Sequence, residues 1–344
     1  MEMSLKNGSP STNELPQGES APIRPAYGTI PGITLPVSRV LFGTAIGPML
    51  KGADVNRLLD AALALGVNTF DTARGYGLAE NSLGRWIAAR GNRDQLVLLS
   101  KCGNVSPRGE VCVNRQVILT ELEQSRQALG VDCIDIYLLH RDDPHTPVSE
   151  FIDTLNECKA AGKIRIFGVS NWTHGRIAEA NAYAAENGLE GFSVSSPHYG
   201  LARQVCDPWG GDCVTVAGPE NAAARAWYAE SGMPVIAYSS LARGFFGGKF
   251  RAFDYEGARL VLDGPAQKGY LCEENMRRLR NAEILADKYR TTVSDIALRY
   301  LFSSKMNVYA SISTTNPDRL PGNILASVRP LTPEETAFLE RDTE

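Results

Sequence analysis

Three ionisable side chains stand at the ends of three consecutive apolar runs. Asn68-Thr69-Phe70 ends in Asp71, Leu96-Val97-Leu98-Leu99-Ser100 in Lys101, and Ile134-Asp135-Ile136-Tyr137-Leu138-Leu139 in His140. Tyr76 follows Asp71 in the next loop. A buried Lys beside a Tyr hydroxyl stabilises phenolate and lowers the phenol from about 10. An Asp paired with that Lys fixes its position and offsets its desolvation. A His nearby can donate a hydrogen bond to a substrate oxygen. Such a set is a proton donor and an oxyanion site without a nucleophile, metal or acid pair. It suits carbonyl reduction, with hydride from elsewhere, more than hydrolysis. Any one of these residues alone reads as a solvated strand end; the set on successive strands does not.

Elements must bring these ends together. Strand candidates are Arg39–Gly43, Val67–Asp71, Leu96–Lys101, Ile134–His140, Arg165–Ser170, Gly191–Ser196, Val235–Tyr238 and Val308–Ile312. Helix candidates start near Asp54, Ala79, Asn114, Pro147, Thr173, Pro219, Glu273 and Pro317, with another over Val293–Phe302. Runs apolar on both faces belong to parallel strands covered by helices. Eight strand–helix units predict a closed (β/α)8 TIM barrel, an α/β fold whose βα loops build the site at the C-terminal face. Tyr27–Ile30, Pro31-Gly32 and Ile33–Leu35 read as an N-terminal β-hairpin closing the barrel bottom. Gly43-Thr44-Ala45-Ile46-Gly47 lacks the dinucleotide glycine spacing, which counts against a Rossmann unit. A chain of 344 residues would suggest two domains, but barrels are the exception. The expected organisation is a disordered leader over residues 1–25 and one barrel over 26–344, with long loops at Leu201–Gly218 and Leu241–Cys272.

A hydrophobic fraction of 43% and a charged fraction of 22% exclude wholesale disorder. Net charge is 35 − 39 = −4 without a basic block, so neither nucleic acid nor a membrane surface is an expected partner. The N-terminus has no signal-peptide pattern, and no apolar stretch is long enough to span a bilayer. A soluble, cytoplasmic protein is expected. Seven irregularly spaced cysteines without a Cys-x-x-Cys pair read as reduced thiols, although Cys206 and Cys213 could bridge. With four His and no helical i, i+4 pair, His140, Asp142, Asp143 and His145 are not expected to bind metal. His140-Arg141-Asp142 spells a kinase tripeptide, but Pro147 occupies the position that needs Asn. Phe250 after Gly247-Gly248-Lys249 rules out a phosphate loop of the NTPase kind.

Asn68-Thr69-Phe70-Asp71-Thr72-Ala73-Arg74-Gly75-Tyr76-Gly77, with Glu80 following, resembles the strand-two signature of the aldo-keto reductase superfamily. Leu99-Ser100-Lys101, Leu138-Leu139-His140-Arg141-Asp142, Gly168-Val169-Ser170-Asn171 and Ala237-Tyr238-Ser239-Ser240-Leu241 recur in family order. The resemblance covers about residues 27 to 340 and implies a (β/α)8 barrel holding an extended nicotinamide cofactor. It implies that Tyr76 is the general acid/base, Lys101 the residue lowering its pKa, Asp71 the partner of Lys101, and His140 the group orienting the carbonyl. Ser170 and Asn171 match positions that hold the nicotinamide carboxamide, and Tyr238 the aromatic stacked on its ring. Ser196 stands where the family usually has Gln. Ser239, Leu241, Arg243 and the stretch from Gly244 match the loop over the pyrophosphate. Thr314 lies in Ser313-Thr314-Thr315, ahead of the adenosine motif, where some NADP-specific members carry Lys. Arg319 and Asn323 match adenosine-end positions; Arg319 suits a 2′-phosphate and so favours NADP(H) over NAD(H).

Trp172, Trp209 and Arg74 are candidate substrate contacts, with core packing for the tryptophans and an ion pair for Arg74 as the other readings. The expected function is NAD(P)H-dependent interconversion of an aldehyde or ketone and an alcohol, on a sugar-like or natural-product substrate. The alternative is a cofactor-binding regulatory or redox-sensing subunit of the same superfamily, like channel-associated β subunits.

Overall fold

The computed structural model describes residues 23–106, 109–210 and 212–341. Residues 1–22 of the expected leader lie outside the described residues. Residues 23–25 pack on the barrel: Ile23 leans on the core, Pro25 is buried and Arg24 donates to the Ala64 carbonyl.

Two short strands, β1 (Tyr27–Gly28) and β2 (Val37–Ser38), pair antiparallel. Eight more form a closed parallel barrel: β3 (Val40–Gly43), β4 (Thr69–Asp71), β5 (Val97–Cys102), β6 (Ile134–Leu139), β7 (Ile164–Ser170), β8 (Ser195–Ser196), β9 (Val235–Ala237) and β10 (Val308–Ile312). β10 closes the ring on β3. The (β/α)8 TIM barrel and its N-terminal hairpin are therefore present. The hairpin's second strand is Val37–Ser38, not Ile33–Leu35. Ile33 and Leu35 instead lean with Ile30 and Val37 on the side chains that fill the barrel.

Strand side chains alternate between two cores. Leu41, Leu99, Ile136, Leu138, Ile166, Val194, Ile236 and Tyr309 point inward and form the barrel interior. Phe70, Leu98, Tyr137, Leu139, Phe167 and Val169 belong to the outer core beneath the helices. The same inward parity, carried to the C-terminal rim, selects Gly43, Asp71, Lys101, His140, Ser170, Ser196, Tyr238 and Ser311. A polar layer thus caps an apolar interior. Register fixes its level: Gly43 lies opposite Asp71, Asp71 opposite Leu99, Lys101 opposite Leu138, and Ser170 opposite Ser196.

The helices start where side chains can cap them. Asn114 accepts from the Val117 N–H and Thr173 from the Arg176 N–H, each supplying an acceptor to an otherwise orphaned donor. The sixth barrel strand is shorter than the expected Gly191–Ser196. The Asn181 side chain accepts from the Phe192 N–H and donates to its carbonyl, taking both groups out of the ladder. The connection Leu241–Cys272 is not an irregular loop throughout: it carries helices at Tyr255–Val261 and Gly264–Tyr270. No helix among the described residues is long and apolar enough to cross a membrane. All seven cysteines are free thiols, so Cys206 and Cys213 do not bridge.

Two stability predictions follow from this packing. A Cβ on Gly168 would meet the Val194 carbonyl oxygen at 2.0 Å, where backbone faces backbone. Gly168→Ala should therefore cost about 3 kcal/mol or more in urea unfolding; an unchanged midpoint would refute the close approach. His198 is fully buried, its Nδ1 paired with Thr215 Oγ1 at 2.7 Å, and burial holds its pKa down at about 3. The unfolded chain takes up that proton below about pH 6.5 while the folded chain refuses it until about pH 3. The stabilising contribution is present above the unfolded value and lost as pH falls. His198→Gln should remove about 2 kcal/mol of the stability lost by wild type between about pH 7.5 and pH 5. An identical pH dependence in both proteins would refute it.

Candidate active site

The rim layer brings four of the sequence-identified residues together. The Lys101 ammonium donates to Asp71 Oδ1, and to the Thr72 carbonyl at 2.9 Å. Ser311 Oγ donates to the second Asp71 oxygen at 2.7 Å. Lys101 Nζ lies 5.1 Å from the centre of the Tyr76 ring, and Tyr76 meets His140 edge to face with centroids 5.5 Å apart. Asp71, Lys101 and His140 are buried; Tyr76 is half-buried and partly open to the mouth.

The electrostatics differ from the sequence expectation at one point. Desolvation pushes the Tyr76 phenol above its ordinary value; Lys101 pulls it down, but Asp71 adds to the rise. The net direction is up, so the phenol holds its proton. Burial alone would lower the Lys101 ammonium, yet Asp71 and Tyr76 outweigh it and hold the group above its usual value. Burial, aided by the charges of Lys101 and Arg141, holds His140 well below the ordinary imidazole range. The ring is neutral at physiological pH. Its Nδ1 is buried and has no hydrogen-bond partner among the described residues.

Asn171 ties this group to the far side of the mouth. It adopts a left-handed backbone, with φ of 61°. Its Nδ2 donates to the His140 carbonyl at 3.1 Å and to Ser170 Oγ at 3.2 Å. Its Oδ1 accepts from the Tyr238 hydroxyl at 2.8 Å and the Val214 N–H at 3.2 Å. Ser170 Oγ donates to the Ser196 carbonyl, and Ser196 Oγ to the Ile236 carbonyl, both at 2.8 Å. The Ser196 hydroxyl proton is thus committed to the barrel wall, and its oxygen remains an acceptor. Nearby, the His198 Nδ1 is held by Thr215, while its Nε2 is buried without a hydrogen-bond partner among the described residues.

The loop after β9 has a run of positive φ: 48° at Ser239, 49° at Ala242, 53° at Arg243 and 90° at Gly244. Its Leu241 and Arg243 N–H groups have no hydrogen-bond partner among the described residues. Ala242, Arg243 and Gly244 are consecutive left-handed residues, and a turn of this kind with free N–H groups can hold an anion. Arg243 stacks over Trp209 with its guanidinium 4.0 Å from the ring centre, and pairs with Asp263. The loop is thereby clipped to the helix that Asp263 caps. Thr314 Oγ1 turns inward on Asn316, whereas Arg319 is exposed and without a side-chain partner among the described residues. Arg319 and Asn323 are four apart and share a face of the turn that follows β10. That loop borders a cavity of about 580 Å³ with Arg57 and Arg90 in its wall.

The three candidate substrate contacts part company. Trp172 is fully buried, wedged edge-on between Phe151 and Phe192, and is core packing rather than pocket wall. Arg74 donates to Glu80 at 2.9 Å, and the buried Glu80 also accepts from Ser100 at 2.6 Å. The ion-pair reading of Arg74 is the one present. Trp209 is 41% exposed at the mouth. Two residues escaped the sequence reading: Ser311, detectable as the next inward position after Tyr309, and Arg141, which stood inside the motifs around His140 without a role of its own.

The family model described as the aldo/keto reductase family matches residues 40–341. An aldo-keto reductase of Strobilurus tenacellus is 26% identical over 84% of this chain and 80% of its own. An aryl-alcohol dehydrogenase of Pestalotiopsis microspora is 26% identical over 83% of this chain and 71% of its own. An aldo-keto reductase of Schizosaccharomyces pombe whose name specifies NADP(+) is 26% identical over 75% and 72%. Barrel, rim chemistry and family match agree, and the chain belongs to the aldo/keto reductase family.

Proposed function

We propose that this enzyme interconverts an aldehyde or ketone and an alcohol with NADP(H), and that Tyr76 is its general acid/base. The observation that carries the reading is the Tyr76 phenol held between Lys101, itself paired with Asp71, and the His140 ring. Bound NADP(H) supplies hydride for reduction and accepts it for oxidation. The residues that fit it are the N–H concavity of Leu241–Gly244 for the pyrophosphate, Tyr238 for the nicotinamide ring, and Arg319 with Asn323 for the adenosine end. An exposed, unpartnered guanidinium at Arg319 supports NADP(H) rather than NAD(H). The relative from Schizosaccharomyces pombe whose name specifies NADP(+) supports the same choice.

In this reading the carbonyl oxygen sits between Tyr76 and His140. With no acceptor at Nδ1, the single proton of the neutral ring is available at Nε2, where it donates to that oxygen without being lost. As negative charge develops on oxygen, the Tyr76 hydroxyl delivers its proton and Lys101 stabilises the phenolate left behind. Asp71, pinned by Ser311 as well as by Lys101, keeps the ammonium in place. In the oxidative direction the same phenolate takes the alcohol proton. The relative from Pestalotiopsis microspora is named an aryl-alcohol dehydrogenase, and the exposed Trp209 at the mouth supports an aromatic or other bulky natural-product carbonyl here.

Tyr76→Phe should lower reduction of an active aldehyde by about a hundredfold or more, the scale of a lost general acid. It should still quench NADPH fluorescence on binding. Near wild-type turnover in the variant would remove Tyr76 from the role. Failure of the wild type to bind NADPH would remove the cofactor.

A further inference from the structure

Arg141 follows His140 directly and is 5% exposed. Its Nη1 donates to the Cys213 thiol at 2.8 Å, and its Nε is buried without a hydrogen-bond partner. No carboxylate among the described residues pairs with it, and those beside it in sequence or in the facing loop are engaged elsewhere. Asp142 lies 3.4 Å from Arg176 Nε. Asp143 accepts from the backbone N–H groups of Val113 and His145. Asp207 accepts from those of Trp209, Gly210 and Cys213. Cys213 is no counter-anion, because burial pushes its thiol up against the pull of Arg141.

The guanidinium lies beside the rim: Arg141 follows His140, and its partner Cys213 adjoins Val214, whose N–H shares the Asn171 amide oxygen with the Tyr238 hydroxyl. Its charge acts on the Tyr76 and Tyr238 phenols and the His140 imidazole. Lys101 is paired directly with Asp71, whereas Arg141 has no direct ion pair among the described residues. A buried, unpaired cation is costly unless a ligand completes the pair. A thiol is a weak acceptor, whereas the planar fork of a guanidinium matches carboxylate and phosphate oxygens. An anion would therefore displace Cys213 from Nη1.

We propose that Arg141 recognises an anionic group, a carboxylate or a phosphate, carried by the carbonyl substrate. The inference deepens the reductase reading and rests on it. Arg141 is then a specificity-determining residue, and Cys213 the neutral placeholder that holds its fork in place.

The test is NADPH-dependent reduction of two matched pairs by wild type, Arg141→Gln and Arg141→Lys. The pairs are 4-carboxybenzaldehyde with 4-carbamoylbenzaldehyde, and glyceraldehyde 3-phosphate with glyceraldehyde. Wild type should favour the anionic member of one pair by about tenfold to a hundredfold in kcat/KM, the range of a charge-assisted contact. The favoured pair tells carboxylate from phosphate. Arg141→Gln should abolish the preference through KM, and Arg141→Lys should restore part of it. NADPH affinity should stay within about twofold, since only substrate binding is touched. The proposal is overturned by the absence of any anion preference, by a preference that survives Arg141→Gln, or by equal losses on charged and neutral members. Should no aldehyde be reduced, calorimetric titration of benzoate and inorganic phosphate into the NADP+-loaded protein separates the two claims. Arg141-dependent binding would uphold the anion site and overturn the reductase reading; no binding would overturn both.

Discussion

The buried ion pair of Lys101 and Asp71 is the interaction on which the site depends. Two charges inside a barrel are costly to desolvate, and removing either partner alone would strand the other. The structure meets that cost with further polar partners: the Thr72 carbonyl on Lys101 and the Ser311 hydroxyl on Asp71. Ser311 lies on β10, so the pair is braced from the strand that closes the ring as well as from β4 and β5. A proton-transfer group can stand beside the pair because the barrel holds it there.

The same layer sets the balance of charge. Burial opposes ionisation of Tyr76 and of His140, while Lys101 favours phenolate and disfavours imidazolium. The resting site therefore has a protonated phenol, a neutral imidazole and a paired ammonium. Asn171 joins this half to the other, with His140 on its amide nitrogen and Tyr238 on its amide oxygen. Its left-handed backbone is the strained position that lets one side chain span both. Across the mouth, the clip between Arg243 and Asp263 fixes the loop after β9, and Arg141 lies buried without a carboxylate partner among the described residues.

Much of this was legible before any coordinate. Parallel strands buried on both faces leave apolar runs such as Ile134–Leu139, and a polar residue at the rim of each is conspicuous. Alternation then says which residues share the interior, and Ser311 would have been found by counting two from Tyr309. What escaped lacked a periodic signal or was supplied by tertiary contact. The shortened sixth strand follows from Asn181, whose side chain on the preceding helix carries no periodic signal. The helix Tyr255–Val261 leaves Leu260 88% exposed, so its apolar pattern points nowhere, although Asp254 and Asp263 are readable caps. The final helix, Pro333–Glu340, opens on a capping box of Thr332 and Glu335 that spacing alone could have shown. The direction of the Tyr76 shift was beyond spacing altogether. It depends on how desolvation compares with Lys101, and desolvation exists only in three dimensions.

The most direct test of the account is the pH dependence of alcohol oxidation between about pH 6 and pH 10, where the phenolate is the required form. It compares wild type with Asp71→Asn/Lys101→Met, which removes both charges together and leaves neither stranded. Lys101 lowers the Tyr76 phenol more than Asp71 raises it, so losing both should displace the rising limb to higher pH. Each unit of displacement is a tenfold loss of rate at fixed pH on that limb. Limbs that superimpose, or one that moves to lower pH in the variant, would contradict the claim that the buried pair governs proton transfer at Tyr76.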